Sequence, residues 1–163
     1  MILAEQSAIL VEAIEQELLR REDIVRWADE IIVAMERPPS WIIDLSTLNS
    51  PYLVDFARLL RIHSVVSLPL HRRVQIVVLA YLAGVISFSE TLPKLFRAVI
   101  YERRGAERDP LDERLADTLV CWDHQENLDV IEPPLRARFE ALFREYLTDI
   151  QEVAAVLPWR SKM

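Results

Sequence analysis

Apolar residues recur every three or four positions over most of the chain, the spacing that puts them on one face of a helix. Leu10, Ile14 and Leu18 mark such a face in the first segment, and Ile24, Ala28, Ile31, Ile32 and Met35 mark one in the second. Between them stand Arg21, at an inward position, and Glu22-Asp23, whose charges suit the positive end of a new helix. This predicts a break near residues 20–22. Further helices are predicted near 41–48, 51–62, 68–86, 91–104, 110–125 and 133–156. In the last, Leu135, Phe139, Leu142, Phe143, Tyr146, Leu147 and Ile150 share one face, and Arg136, Glu140, Arg144, Glu145 and Asp149 the other.

No segment alternates as a half-buried strand would, and the β-branched run Val74–Val78 lies in an apolar stretch too long for one. The expectation is an all-α fold: an irregular bundle of about seven to eight short helices without a sheet, one domain over residues 1–163. Helix content should reach about 70%, well above the usual third. The predicted core includes Trp27, Ile31, Leu79, Leu82, Phe139 and Leu142.

Prolines punctuate the pattern. Ser50-Pro51 and Asp109-Pro110 each read as a capping residue followed by proline at the first helical position. Ser67-Leu68-Pro69 and Thr91-Leu92-Pro93 read as a hydroxyl cap with proline still inside the first turn, and Glu132-Pro133-Pro134 as the opening of the last helix. Pro38-Pro39 stiffens the exit from the second helix and sets the angle at which Trp41 enters the next.

Composition narrows the chemistry. Only two glycines occur in 163 residues, Gly84 and Gly105. Neither a GxGxxG nor a GxxxxGK[ST] stretch is present, which speaks against dinucleotide and P-loop phosphate sites. Cys121 is the single cysteine, so no disulfide forms within the chain. The acidic start of the sequence does not read as a secretory signal, and the apolar stretch Val74–Ile86 is too short to span a bilayer. A cytoplasmic location is therefore expected. With a net charge of −7, nucleic acid is disfavoured as a partner, and without a bilayer-length apolar stretch no membrane is expected. The ends of the chain are acidic and the middle mildly basic; residues 1–36 alone carry nine acids against three bases.

Candidate chemistry is sparse. Cys121 and His124, three apart, could share a helix face and a metal with His63 and His71, but zinc sites are usually signalled by two close pairs and only one is present. Cys121 is expected to be a buried structural residue and His124 a helix-end cap. No nucleophile–base signature, HExxH or calcium loop occurs, so no catalytic residue, metal or cofactor is expected. Two surfaces suit a protein partner. Asp123, Glu126, Asp129 and Glu132 recur every three residues with no base among them, beside Trp122 as an apolar anchor for a basic partner. The second is the corner around Trp41, with Asp44 and Arg37 at its rim.

The string Val25-Arg26-Trp27-Ala28-Asp29-Glu30, followed by Pro38-Pro39-Ser40-Trp41-Ile42-Ile43-Asp44-Leu45-Ser46, resembles a pattern in small uncharacterised bacterial all-helical proteins, some grouped with the immunity proteins of toxin systems. The resemblance spans about residues 25–46, contains no catalytic residue and lacks a glycine expected before the second helix. It implies a non-enzymatic module that neutralises or regulates a protein partner. A homo-oligomeric helical scaffold is the alternative expectation, and a small hydrolase or metal enzyme the outlying one.

Overall fold

The computed structural model describes residues 1–64, 68–101, 109–124 and 133–159. Of these residues 76% are helical, and none lies in a strand. The helices are α1 (Leu3–Glu15), α2 (Arg21–Ala34), α3 (Ser40–Thr47), α4 (Leu53–His63), α5 (Leu70–Leu82), α6 (Phe88–Phe96), α7 (Pro110–Asp123), α8 (Pro133–Tyr146) and α9 (Gln151–Val156); one π-helical turn, Arg97–Tyr101, prolongs α6. None of the described helices is long and apolar enough to cross a membrane. The all-α expectation holds. The chain divides into two compact units, Met1–Leu68 with Val153–Met163, and Pro69–Glu152.

In the first unit α1 packs on α4 and α2 on α3, with α4 also meeting α2 and α3. Ile9, Leu10, Ile24, Ile42, Leu45, Phe56 and Leu60 are almost wholly removed from water. The chain between α1 and α2 turns earlier than the charge pattern suggests. Glu17 takes a left-handed conformation, φ 57°. Its N–H donates to the Ile14 carbonyl (2.9 Å) and that of Leu18 to Ala13 (2.9 Å), the two bonds that close a helix C-terminus. The fresh first turn of α2 is as expected: the Asp23 carboxylate accepts from the Arg20 backbone N–H at 3.0 Å.

In the second unit α5 lies against α6, the π turn and α8, and α7 packs on α8 and α6. Val74 through Ala80 are all buried, so α5 is apolar on every side, as a central helix must be. The exception is Gln75. Its amide nitrogen donates to the carbonyls of Tyr146 (2.9 Å) and Thr148 (3.1 Å), which the end of α8 leaves without helical partners. Phe88, Phe139 and Phe143 fill the space between α6 and α8, with Phe88 edge-on to Phe139 at 6.1 Å.

Several boundaries differ from those predicted. α5 stops at Leu82 rather than residue 86, because Gly84 adopts φ 68° and the N–H of Val85 turns back to the Ala80 carbonyl at 2.8 Å. Leu82 thus sits at the helix end, 47% exposed, outside the core to which it was assigned. Ile31 is half-buried and Met35 exposed at the end of α2. The next helix starts at Phe88, not 91: Ser87 caps it, accepting from the Glu90 N–H at 3.3 Å while Glu90 accepts from the Ser87 N–H at 2.7 Å. Pro93 consequently lies inside α6, and Thr91 is no cap; its hydroxyl donates to the Ser87 carbonyl. α4 starts at Leu53, two residues after Pro51, and Pro69 precedes α5 rather than lying inside it. Asp109-Pro110 is as expected, with the Asp109 carboxylate accepting from Leu111 and Asp112 N–H, both at 2.8 Å. The final helix is not continuous. It breaks at Leu147–Ile150, where Asp149 has φ 59° and Gln75 and Arg72 take up the freed carbonyls.

Candidate functional site

The acidic surface expected at residues 123–132 is largely undescribed: Glu126, Asp129 and Glu132 lie outside the described residues. Asp123 is exposed at the end of α7. Trp122 is not the surface anchor expected of it. It is only 6% exposed, its ring edge-on to Phe96 at 6.0 Å. The reason is the face of α7: Leu115, Ala116, Leu119 and Trp122 point inward together, while Asp117, Val120, Cys121 and His124 point to water. Cys121 is accordingly exposed, not the buried hydrophobe the sequence suggested. His124 does end the helix, its N–H bonded to the Val120 carbonyl at 3.2 Å.

The corner around Trp41 is more fully formed. Trp41, at the start of α3, is half-buried, stacked on His63 of α4 with ring centres 4.6 Å apart and tilted against Trp27 of α2 at 6.4 Å. Trp27 is buried and its indole N–H donates to the Gln6 side chain at 3.1 Å. The row Trp27–Trp41–His63 thus pins α2, α3 and α4 together. Asp44 is exposed, and the Ser46 hydroxyl donates to the Asp29 carboxylate, tying α3 to α2. Val33 lies one helical turn beyond Asp29 on α2, and Ile43 about one turn before Ser46 on α3. They are exposed by 87% and 44%. Among the described residues, most of the exposed large apolar side chains lie in this first unit: Tyr52, Val54 and Ile62 of α4 and its approach are exposed too.

The second unit holds a polar cluster that the sequence did not announce. The Tyr146 hydroxyl, on fully buried α8 surface, donates to Asp112 Oδ1 at 2.6 Å. Asp112 is itself 3% exposed. His71, near the start of α5, turns Nδ1 toward Asp109 Oδ2 at 3.7 Å. Burial pushes the Asp112 carboxyl above the ordinary Asp range, partly countered by the Tyr146 hydrogen bond. Burial, then the bond to Asp112, likewise raises the Tyr146 hydroxyl well above the ordinary Tyr value. The residues are far apart in the chain and no local motif joins them. The one available signal was Tyr146 on an inward face, since a buried phenol needs an acceptor.

No protein-family model, no curated protein and no solved structure matches the chain.

Proposed function

We propose that this protein is a non-enzymatic module that binds a basic protein partner through the α2–α3 corner of its first unit, in the manner of an immunity protein that neutralises its target. The observation that carries this reading is the exposure of Val33 on α2 and Ile43 on α3, the two helices that the Asp29–Ser46 bond joins, with Asp44 exposed on α3 and the Trp27–Trp41–His63 row holding the helices together. An apolar centre with a polar, solvent-accessible rim is the general anatomy of a protein interface. The acidic balance of the chain favours a basic partner and quick encounter with it. With Trp122 buried, the weight falls on the Trp41 corner rather than on the acidic segment.

A photo-crosslinker at Ile43, with one at Val120 as control, would identify the partner for purification. Val33→Ser with Ile43→Ser should then weaken binding about tenfold or more, and Asp44→Asn should slow association and flatten its salt dependence. Unchanged affinity in both variants would place the interface elsewhere. Crosslinks to a second copy alone would select the homo-oligomeric alternative, and a bound partner that keeps full activity would remove neutralisation as the purpose.

A further inference from the structure

We propose that His71, Asp109 and Asp112 form a binding site for a divalent transition-metal cation of the zinc class, with Tyr146 orienting the buried carboxylate. One nitrogen and two carboxylates converge from the starts of α5 and α7, each offering a ligand atom within 4.8 Å of the others. Bonds of about 2.0–2.2 Å hold zinc ligand atoms about 3.4 Å apart, so a modest inward rotation closes the set. The side chains allow it. Asp109 uses Oδ1 for both cap bonds, which leaves Oδ2, the oxygen facing His71, for an ion.

His71 Nδ1 is buried and has no hydrogen-bond partner, although it points at a carboxylate. A buried polar atom in that condition lacks a partner that a bound cation would supply. Ligation through Nδ1 places the ring proton on Nε2. That atom faces the Gln75 amide nitrogen at 3.1 Å, whose two protons already go to the Tyr146 and Thr148 carbonyls. An Nε2–H has no acceptor in that amide nitrogen, so the inward rotation of the ring that brings Nδ1 to the ion also carries Nε2 away from Gln75. Asp112 is held by the Tyr146 hydroxyl, the outer-shell support that carboxylate ligands commonly receive. An imidazole beside two carboxylates favours zinc over magnesium or calcium, which prefer oxygen throughout. The side chains of His71 and Asp109 are 32% and 48% exposed, so an ion there has a route from solvent and positions left for water.

Calorimetric titration of the full chain with zinc chloride tests the site. One equivalent should bind, with magnesium failing to compete, and the His71 imidazole nitrogens should shift in an NMR spectrum of the unaltered protein. His71→Ala and Asp109→Asn, both at partly exposed positions, should weaken binding by more than about tenfold, and Tyr146→Phe by about tenfold. Cys121→Ser with His124→Ala should bind as the unaltered protein does. An absence of zinc binding, an unmoved His71 signal, or loss of binding only in the Cys121/His124 variant would each overturn the assignment.

Discussion

Tyr146 and Asp112 depend on each other. Removing the phenol leaves a buried carboxylate oxygen without its donor, so Tyr146→Phe should lower stability by about 1–3 kcal/mol at neutral pH in urea unfolding. The raised Tyr146 pKa adds a pH dependence. Stability from the protonated phenol is complete below the ordinary Tyr value of about 10 and drains away as pH rises above it. The variant should lose that alkaline dependence. Glu90 behaves in the opposite sense. Hydrogen bonds from the Ser87 backbone and hydroxyl hold its carboxyl below the ordinary range, so its contribution is present above that range and is lost as pH falls through the lowered midpoint. In an NMR titration Ser87→Ala should move the Glu90 midpoint part of the way up toward the ordinary Glu range, since the backbone bond remains. An unmoved midpoint would mean that the Ser87 hydroxyl does not bond the Glu90 carboxylate in solution.

Helix ends decide most of what distinguishes this bundle. Leu79 and Leu82 are one turn apart on α5, yet one is 1% and the other 47% exposed. Leu79→Ala should cost about 2–5 kcal/mol and Leu82→Ala about 0.5 kcal/mol or less, measured side by side in urea. Comparable losses would place the end of α5 back inside the core. At Glu17 the left-handed backbone strains a residue with a Cβ, and Glu17 is exposed. Glu17→Gly should therefore raise stability, by up to about 1 kcal/mol in thermal unfolding, rather than lower it as glycine does in a helix interior. These ends were unevenly legible. Ser87-Phe88-Ser89-Glu90 carries the serine-to-glutamate spacing of a capping box, yet the later Thr91-Leu92-Pro93 drew the boundary because proline is the louder signal. Glu17 and Asp149 carried no such mark, because neither is the glycine that usually announces a left-handed turn.

Over the whole molecule, helix is the one regular structure of the described residues, and far-ultraviolet circular dichroism should show its double minimum without a strand component. Periodicity alone determined that much, because the 3.6-residue repeat of apolar side chains has no other regular solution. It also determined which faces of α1, α2 and α8 turn inward: Leu10, Ile14, Ile24, Ala28, Phe139 and Leu142 are all buried. Tertiary structure decided the rest. Trp122 and Cys121 are neighbours in sequence, but the packing of α7 against α6 and α8 sends one inside and leaves the other in water. In the sequence Gln75 is the one polar interruption of the apolar stretch Val74–Ile86; the loose carbonyls at the end of α8, some seventy residues away, give it partners. The meeting of His71, Asp109, Asp112 and Tyr146 was likewise invisible. Local spacing governs which residues share a face, but only the packing of distant segments brings polar groups from separate helices within bonding distance.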